Sequence, residues 1–464
     1  MPATARKLQP EQCAPAQPPI AITNKKINKK AHLPLPPLSR KNAGSVRMPR
    51  HRLFYINHVK ENGMKKKWMP HIAAVTALVV FVMLGLASAN TPEASSSEPQ
   101  APQAKQEAPP PYNSESDFKI DWDTNVKDGI VITEYTGTRK EVNIPPTIQN
   151  QPVTSIGERA FHYNKNITSI IIPDSVVTIV DGSAGLGRTG AFSDCTSLTS
   201  VTIGNSVTNI GVAAFADCTR LARVTIPDSV TSIGVEAFAK SGLTSVTIPS
   251  SVTRIGDAAF SNCSKLTSVT IPDSITTIGN EMFASCTSLA RITIPNSVTS
   301  IGHGAFSGTG LTSVTIPDSV VTLVDGSAGL GRAGAFSGCA NLTSVTIGNG
   351  VTRIGYDAFS KCTKLTSVTI GNSVPSIGAA AFDGCTSLTS VTIPSSVTSI
   401  GYGAFNDTSL TSVTFQGTIP ANRFDDQRYW YTTFPGDLRA KYLANDGGPG
   451  TYTRFANGDV WRKQ

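Results

Sequence analysis

Few residues of this chain could do chemistry, and their spacing excludes most reactions. Gly182-Ser183-Ala184-Gly185-Leu186-Gly187-Arg188-Thr189 follows the G-x-x-x-x-G-K-T spacing of a phosphate loop, with Arg188 where lysine belongs. Such a loop needs a strand before it and a long helix after it. This one interrupts a repeat, and its second copy, Gly326 to Ala333, also lacks the hydroxyl that would hold magnesium. Cys195, Cys218, Cys263, Cys286, Cys339, Cys362 and Cys385 recur in register. They have neither the Cys-x-x-Cys pairs nor the histidine partners of a metal site. They read as buried free thiols packing as small hydrophobes. Beyond residue 89 only His162 and His303 remain, too far apart in the chain for a shared triad. Asp121-x-Asp123-x-Asn125 begins like a calcium loop, but Val126 and Ile132 stand where its glycine and glutamate belong. It reads as a solvated turn. No metal, no cofactor and no catalytic residue is expected, and an enzyme is the remotest of the functional readings.

What must position these residues is read from composition and period. The 464 residues include 39 glycines and 30 prolines with 16% charge, which favours turn-rich β architecture over helical bundles. The net charge of +8 is misleading, because residues 1–67 carry 15 Lys/Arg against Glu11 and Glu61, and the remainder is −5. A basic footprint on a folded face is what nucleic acid requires, so no nucleic-acid partner is expected.

Met64 is followed by Lys65, Lys66 and Lys67, an apolar run from Ile72 to Leu86, and Ala87-Ser88-Ala89. That order makes residues 64–89 a signal peptide cleaved after Ala89. An uncleaved anchor is the competing reading, because Ile72 to Ala89 is just long enough to span a bilayer. Membrane contact is expected only through this leader. Residues 1–63 sit upstream of a segment that works only when it comes first, so translation is expected to begin at Met64. Residues 90–116, with six prolines among Ser, Ala, Glu and Gln, read as a disordered spacer.

Eleven phenylalanines mark the repeat: Phe161, Phe192, Phe215, Phe238, Phe260, Phe283, Phe306, Phe336, Phe359, Phe382 and Phe405, with gaps of 22 or 23 except at 31 and 30. A period in the 20s sustained over this length means a solenoid. Within one unit, Leu221-x-x-Val224-x-Ile226 predicts a strand with Val and Ile inward and Thr225 outward. Pro227 ends it. Val230 and Ile233 form a second inward segment, Gly234 permits a tight turn, and Ala237-Phe238 opens a turn or short helical piece on the back. One layer cannot cover its own apolar edges, so about 11 coils stack with their strands in a parallel sheet.

The unit L-T-S-V-T-I-P-x-S-V-T-x-I-G-x-x-A-F-x-x-C resembles the BspA-like subclass of bacterial surface leucine-rich repeats. The resemblance spans Asp117 to Lys463. It implies a mainly β leucine-rich-repeat solenoid, secreted or at the cell surface, that binds an extracellular protein or glycan. Fibronectin and fibrinogen are the ligands that some members of the family imply. The array is placed at 151–417, with an N-terminal cap at 117–150 and a C-terminal cap at 418–464, because terminal coils expose strand edges.

Two surfaces are candidates for contact. One is the outward file of Thr202, Thr225, Thr247, Thr270, Thr293, Thr315, Thr346, Thr369 and Thr392, continued by Thr414, with Ser or Arg two positions earlier. Threonine also has high β propensity, so the file serves equally to solubilise a sheet. The other is the pair of Gly-rich insertions 144 residues apart, with Asp181, Ser183 and Arg188 in the first and Asp325, Ser327 and Arg332 in the second. The functional expectation is an exported, non-enzymatic adhesin. A structural surface protein without a specific ligand is the alternative.

Overall fold

The computed structural model describes residues 111–326, 333–424, 432–456 and 458–464. The upstream segment 1–63, the signal peptide with its cleavage after Ala89, and the spacer as far as residue 110 lie outside the described residues.

Most coils contribute to two parallel ladders where a single parallel sheet was expected. In the first, the Val-x-Ile strands pair in register, for example Ser169–Ile171 with Ser200–Thr202, Ser245–Thr247 with Ser268–Thr270, and Ser313–Ile316 with Ser344–Ile347. In the second, the Val-x-x-Ile segments pair as two-residue strands, running from Thr178–Ile179 through Asn209–Ile210 and Ser232–Ile233 to Arg254–Ile255. The inward Leu, Val and Ile of both ladders form one continuous buried core. Burial of this apolar surface is the main favourable term in the fold.

The third side of each coil is a turn, without a helix. It is nonetheless hydrogen-bonded: the Phe N–H donates to the carbonyl one coil on, at 2.7–3.0 Å, as from Phe215 to Ala237 and from Phe260 to Met282. The phenyl rings stack at centroid distances of 4.8–5.7 Å and interplanar angles of 3–23°. Tyr135 and Phe434 extend the file at its two ends. Stacked aromatic pairs contribute about 0.5–1.5 kcal/mol each beyond their burial.

The cysteines are free and buried, and each does more than fill space. Every Sγ lies 3.1–3.3 Å from the carbonyl of the Phe one coil back, as Cys218 does from Phe192 and Cys286 from Phe260. The thiol thus adds a second donor to a carbonyl that already accepts a backbone N–H of its own coil, which hydrophobicity alone does not predict.

Gly234 opens the expected turn, its carbonyl accepting the Ala237 N–H at 3.3 Å, but its missing side chain serves the packing of coils. A Cβ there would lie 2.5 Å from the Val212 nitrogen, and one at Gly256 would lie 2.3 Å from the Val235 nitrogen. Glycine at this position lets successive backbones approach. The left-handed turns fall two residues before and two after the Phe, on residues such as Glu236, Lys240, Ala258 and Asn262, with φ of 54–59°.

The N-terminal end departs from the expected boundaries. Parallel pairing begins ahead of residue 151, with Ile130–Tyr135 on Gln151–Ile156 and Glu141–Asn143 on Ser169–Ile171. The spacer stops short of Ser116, because buried Asn113 exchanges hydrogen bonds at 2.9 Å with the Asn143 backbone. Phe118–Trp122 then closes this edge antiparallel. Asp123 is buried rather than solvated: Thr154 and Ser155 donate to its carboxylate at 2.7 and 2.5 Å. Burial pushes this carboxyl up, but the hydrogen bonds from Ser155, Thr154 and the Asn125 N–H outweigh it and lower the pKa. At the other end Gly450–Thr453 lies antiparallel on Ser412–Phe415, and the helix Leu438–Leu443 buries Leu438 and Tyr442. Tyr429, Trp430 and Tyr431, expected within this cap, lie outside the described residues.

The two backbone roles give opposite outcomes for similar substitutions. Gly256→Ala is expected to cost about 1–3 kcal/mol through overpacking between coils. Ala258→Gly, at φ 54°, is expected to stabilise by up to about 1 kcal/mol by relieving left-handed strain. Urea unfolding of the two variants against the parent protein measures both.

Candidate ligand-binding surface

Alternation along the first ladder turns the middle Thr of each V-T-I outward. Thr202, Thr225, Thr247, Thr270, Thr293, Thr315, Thr346, Thr369 and Thr392 are all exposed, and no protein group hydrogen-bonds their hydroxyls. Register aligns them directly, Thr247 opposite Thr270 and Thr315 opposite Thr346 opposite Thr369. Thr414 is half-covered by the strand Gly450–Thr453, its Oγ1 3.0 Å from that of Thr451. The C-terminal strand therefore ends the open file.

A second Thr column behaves differently, a distinction that residue type alone does not reveal. Thr199, Thr244, Thr267, Thr312, Thr343, Thr366 and Thr411 donate to the carbonyl of the coil before, at 2.9–3.3 Å. Their hydroxyls hold coils together, whereas those of the outward file face only solvent.

The Gly-rich insertions differ in the residues around them. In the first, Arg188 is folded back and largely buried, 3.0 Å from Asp217 and also paired with Glu236, so it is not the free contact residue it was expected to be. The Gly185 N–H donates to Glu236 at 3.1 Å, Ser183 donates its N–H to Thr189 at 2.8 Å, and Asp181 accepts the Val212 N–H at 2.9 Å. This clamp leaves Leu186 fully exposed at the tip. Two carboxylates on Arg188 also occupy the one cation of the phosphate-loop-like motif. In the second insertion, Asp325 accepts the Tyr356 N–H at 2.7 Å and pairs with Arg353 at 2.8 Å. Ser327 and Arg332 lie outside the described residues. At the positions equivalent to Asp217 and Glu236 the chain has Lys361 and Ala380, so these two acids are not copied with the loop.

Other groups suited to chemistry are held in the framework. His162 Nδ1 lies 2.6 Å from Ser193 Oγ, but Ser193 is fully buried and also bonds the Gly190 carbonyl at 3.0 Å. His303 Nδ1 is 4.0 Å from Glu281. Among the described residues no group of three His, Cys, Asp or Glu is placed to hold a metal ion. Burial pushes the Cys195 and Cys385 thiols up to about 12 and that of Cys263 to about 11. On the back of the C-terminal coils, burial and then the neighbouring Asp383 raise Asp357 to about 6. Burial likewise raises Asp383.

Two parallel ladders, a stacked phenylalanine file and the L-x-x-V-x-I strand define a leucine-rich-repeat solenoid. Residues 138–266, 213–327 and 332–430 match the model of the BspA type leucine rich repeat region, in 6 copies, and the chain belongs to that family. Among solved structures it is similar to a leucine-rich repeat protein from Bacteroides ovatus at 27% identity, covering 63% of this chain and 91% of that one with a TM-score of 0.41. It is also similar to the leucine rich repeat protein of T. pallidum, at 28% identity over 43% and 89% of the two chains with a TM-score of 0.39. A leucine rich cell surface protein from Faecalibacterium prausnitzii shares 26% identity over 69% and 100%, with a TM-score of 0.36. No curated protein matches.

Two outcomes follow from these titrations. Cys195, Cys218, Cys263, Cys286, Cys362 and Cys385, whose thiols are all pushed up, are expected to resist alkylation at pH 8 in the native protein and to react together on unfolding, read by mass spectrometry, because the thiolate is the nucleophile and its formation is suppressed. Asp357 binds its proton more tightly folded than unfolded, so its contribution is full below about pH 4 and is lost as pH rises through about 6. Tm is therefore expected to fall by a few degrees from pH 5 to pH 7. Asp357→Asn should reduce that slope, as followed by thermal unfolding at the two pH values.

Proposed function

We propose that this protein is exported and acts at the cell surface or outside the cell as a non-enzymatic binding protein, an adhesin engaging matrix proteins or other cells. The observation that carries this reading is the file of nine exposed threonines whose hydroxyls are spent on no intramolecular bond. Membership of a repeat family that serves as a binding scaffold supports it. An extended surface of repeated shallow contacts gains strength by multivalency, each contact raising the effective concentration of the next. Fibronectin and fibrinogen are the first partners to test, and the exposed tip at Leu186 is a secondary contact.

The test is binding of purified protein to immobilised fibronectin, fibrinogen and collagen and to intact cells, beside the triple variant Thr247→Lys, Thr270→Lys, Thr293→Lys. Saturable binding that weakens at least about tenfold in the variant is the expected outcome. Saturable binding kept in full moves the contact to the Leu186 loop or the C-terminal end. Absence of binding to every surface replaces the adhesin with a structural surface protein.

A further inference from the structure

Charge is sorted across the strand face. On its leading edge Arg220, Arg223, Lys265 and Arg291 are exposed, and none has an ion pair or a side-chain hydrogen bond. The acids Asp228 and Asp273 lie on the trailing edge, beyond the prolines that end the strands. Arg220 and Arg223 belong to the coil of Phe215, Lys265 to that of Phe260 and Arg291 to that of Phe283. Three coil steps at strand spacing place the four cations along roughly 14 Å of the solenoid axis.

Arg223 and Arg291 stand where most coils have Ser, and each follows Ala where most coils have Thr. That Thr is the one that donates to the preceding coil, so Ala222 and Ala290 remove an inter-coil bond at the place where Arg adds a charge. The ladder weakens accordingly. Arg223–Val224 is a two-residue strand, and residues 291–294 form no ladder with Ser268–Thr270 or Ser313–Ile316. A shallow groove of about 700 Å³ opens there, lined by Ser268, Arg291, Thr293, Ser313 and Thr315 among others.

We propose that this leading edge binds an anionic glycan. Its carboxylate or sulfate groups pair with Arg223 and Arg291, and its sugar hydroxyls lie on the Ser and Thr columns between them. The inference rests on the proposed function and names a ligand class for the same face. Guanidinium suits either oxyanion, because its planar fork donates two parallel hydrogen bonds. An acidic protein segment fits less well, since protein interfaces draw their energy from aromatic and other anchors in pockets, and this stretch of the face offers hydroxyls. A nucleic-acid duplex is wide enough to reach the trailing edge, where Asp228 and Asp273 repel it.

The test measures binding of the full chain at low salt to heparin as the sulfated probe, polygalacturonate as the carboxylate probe, and dextran as the neutral control. Polyglutamate and duplex DNA complete the set. The double variant Arg223→Ser, Arg291→Ser restores the residue that other coils carry, and Arg254→Thr removes a cation from the second ladder as a charge control. Thermal unfolding verifies that both variants remain folded. Binding to one or both anionic polysaccharides, at least tenfold weaker in the double variant and less than twofold weaker in the control, is the expected result. The stronger of the two probes distinguishes sulfate from carboxylate. Equal loss in the two variants, unchanged binding in the double variant, or equal binding of dextran, polyglutamate or DNA overturns the proposal. Saturable binding to matrix proteins or cells without binding to either polysaccharide overturns this inference and leaves the proposed function standing. Absence of all binding removes both.

Discussion

Successive coils must approach to one strand spacing around their whole circumference, and the phenylalanine file imposes that distance on the side that has no strand. Its rings repeat at 4.8–5.7 Å, close to the separation of hydrogen-bonded strands. Ring stacking and the two ladders therefore do not compete for different pitches. The Phe N–H and the Cys sulfur complete the match, the first donating forward one coil and the second bonding a Phe carbonyl one coil back. A coil that lost its ring would lose apolar burial and a fixed neighbour for both hydrogen bonds.

The same pitch dictates the small residues and the strain. Gly234 and Gly256 stand where a methyl group would meet the backbone of the previous coil, so the side chain is excluded by the neighbour and not by its own φ. The chain instead turns left-handed at Glu236, Lys240, Ala258 and Asn262, a conformation L-residues resist by roughly 1–2 kcal/mol. The stack tolerates that cost because each turn is held by hydrogen bonds to the next layer. Stability is thus shared between neighbours along one dimension, as in other solenoids.

With the interior and the back consumed by stacking, variation is free only on the strand face, the insertions and the ends. The face keeps its outward hydroxyls unpaired, while a second Thr column is spent on inter-coil bonds. Where Ala-Arg replaces Thr-Ser, an inter-coil bond is given up and a charge appears at the surface. Asp217 and Glu236, which hold the first insertion, are not copied with the loop, since the equivalent positions beside the second are Lys361 and Ala380.

Much of the fold was legible in the residues because its signals are periodic. The Phe spacing, the Val-x-Ile strand and the outward Thr each recur, and a side chain's direction along a strand follows from alternation alone. The role of Gly234, the thiol hydrogen bonds, the clamp on Arg188 and the burial of Asp123 and Asn113 were not legible. Each depends on an atom contributed by a different coil, 22 to 48 residues away in the chain for the first three and about 30 for the last two. The sequence by itself determined a stacked β solenoid with a hydroxyl-bearing outer face, because apolar periodicity leaves one way to bury its layers. Which hydroxyls stay free, which charges are neutralised and where the ladder opens were decided only by tertiary structure, because those outcomes turn on what the adjacent coil places within hydrogen-bonding distance.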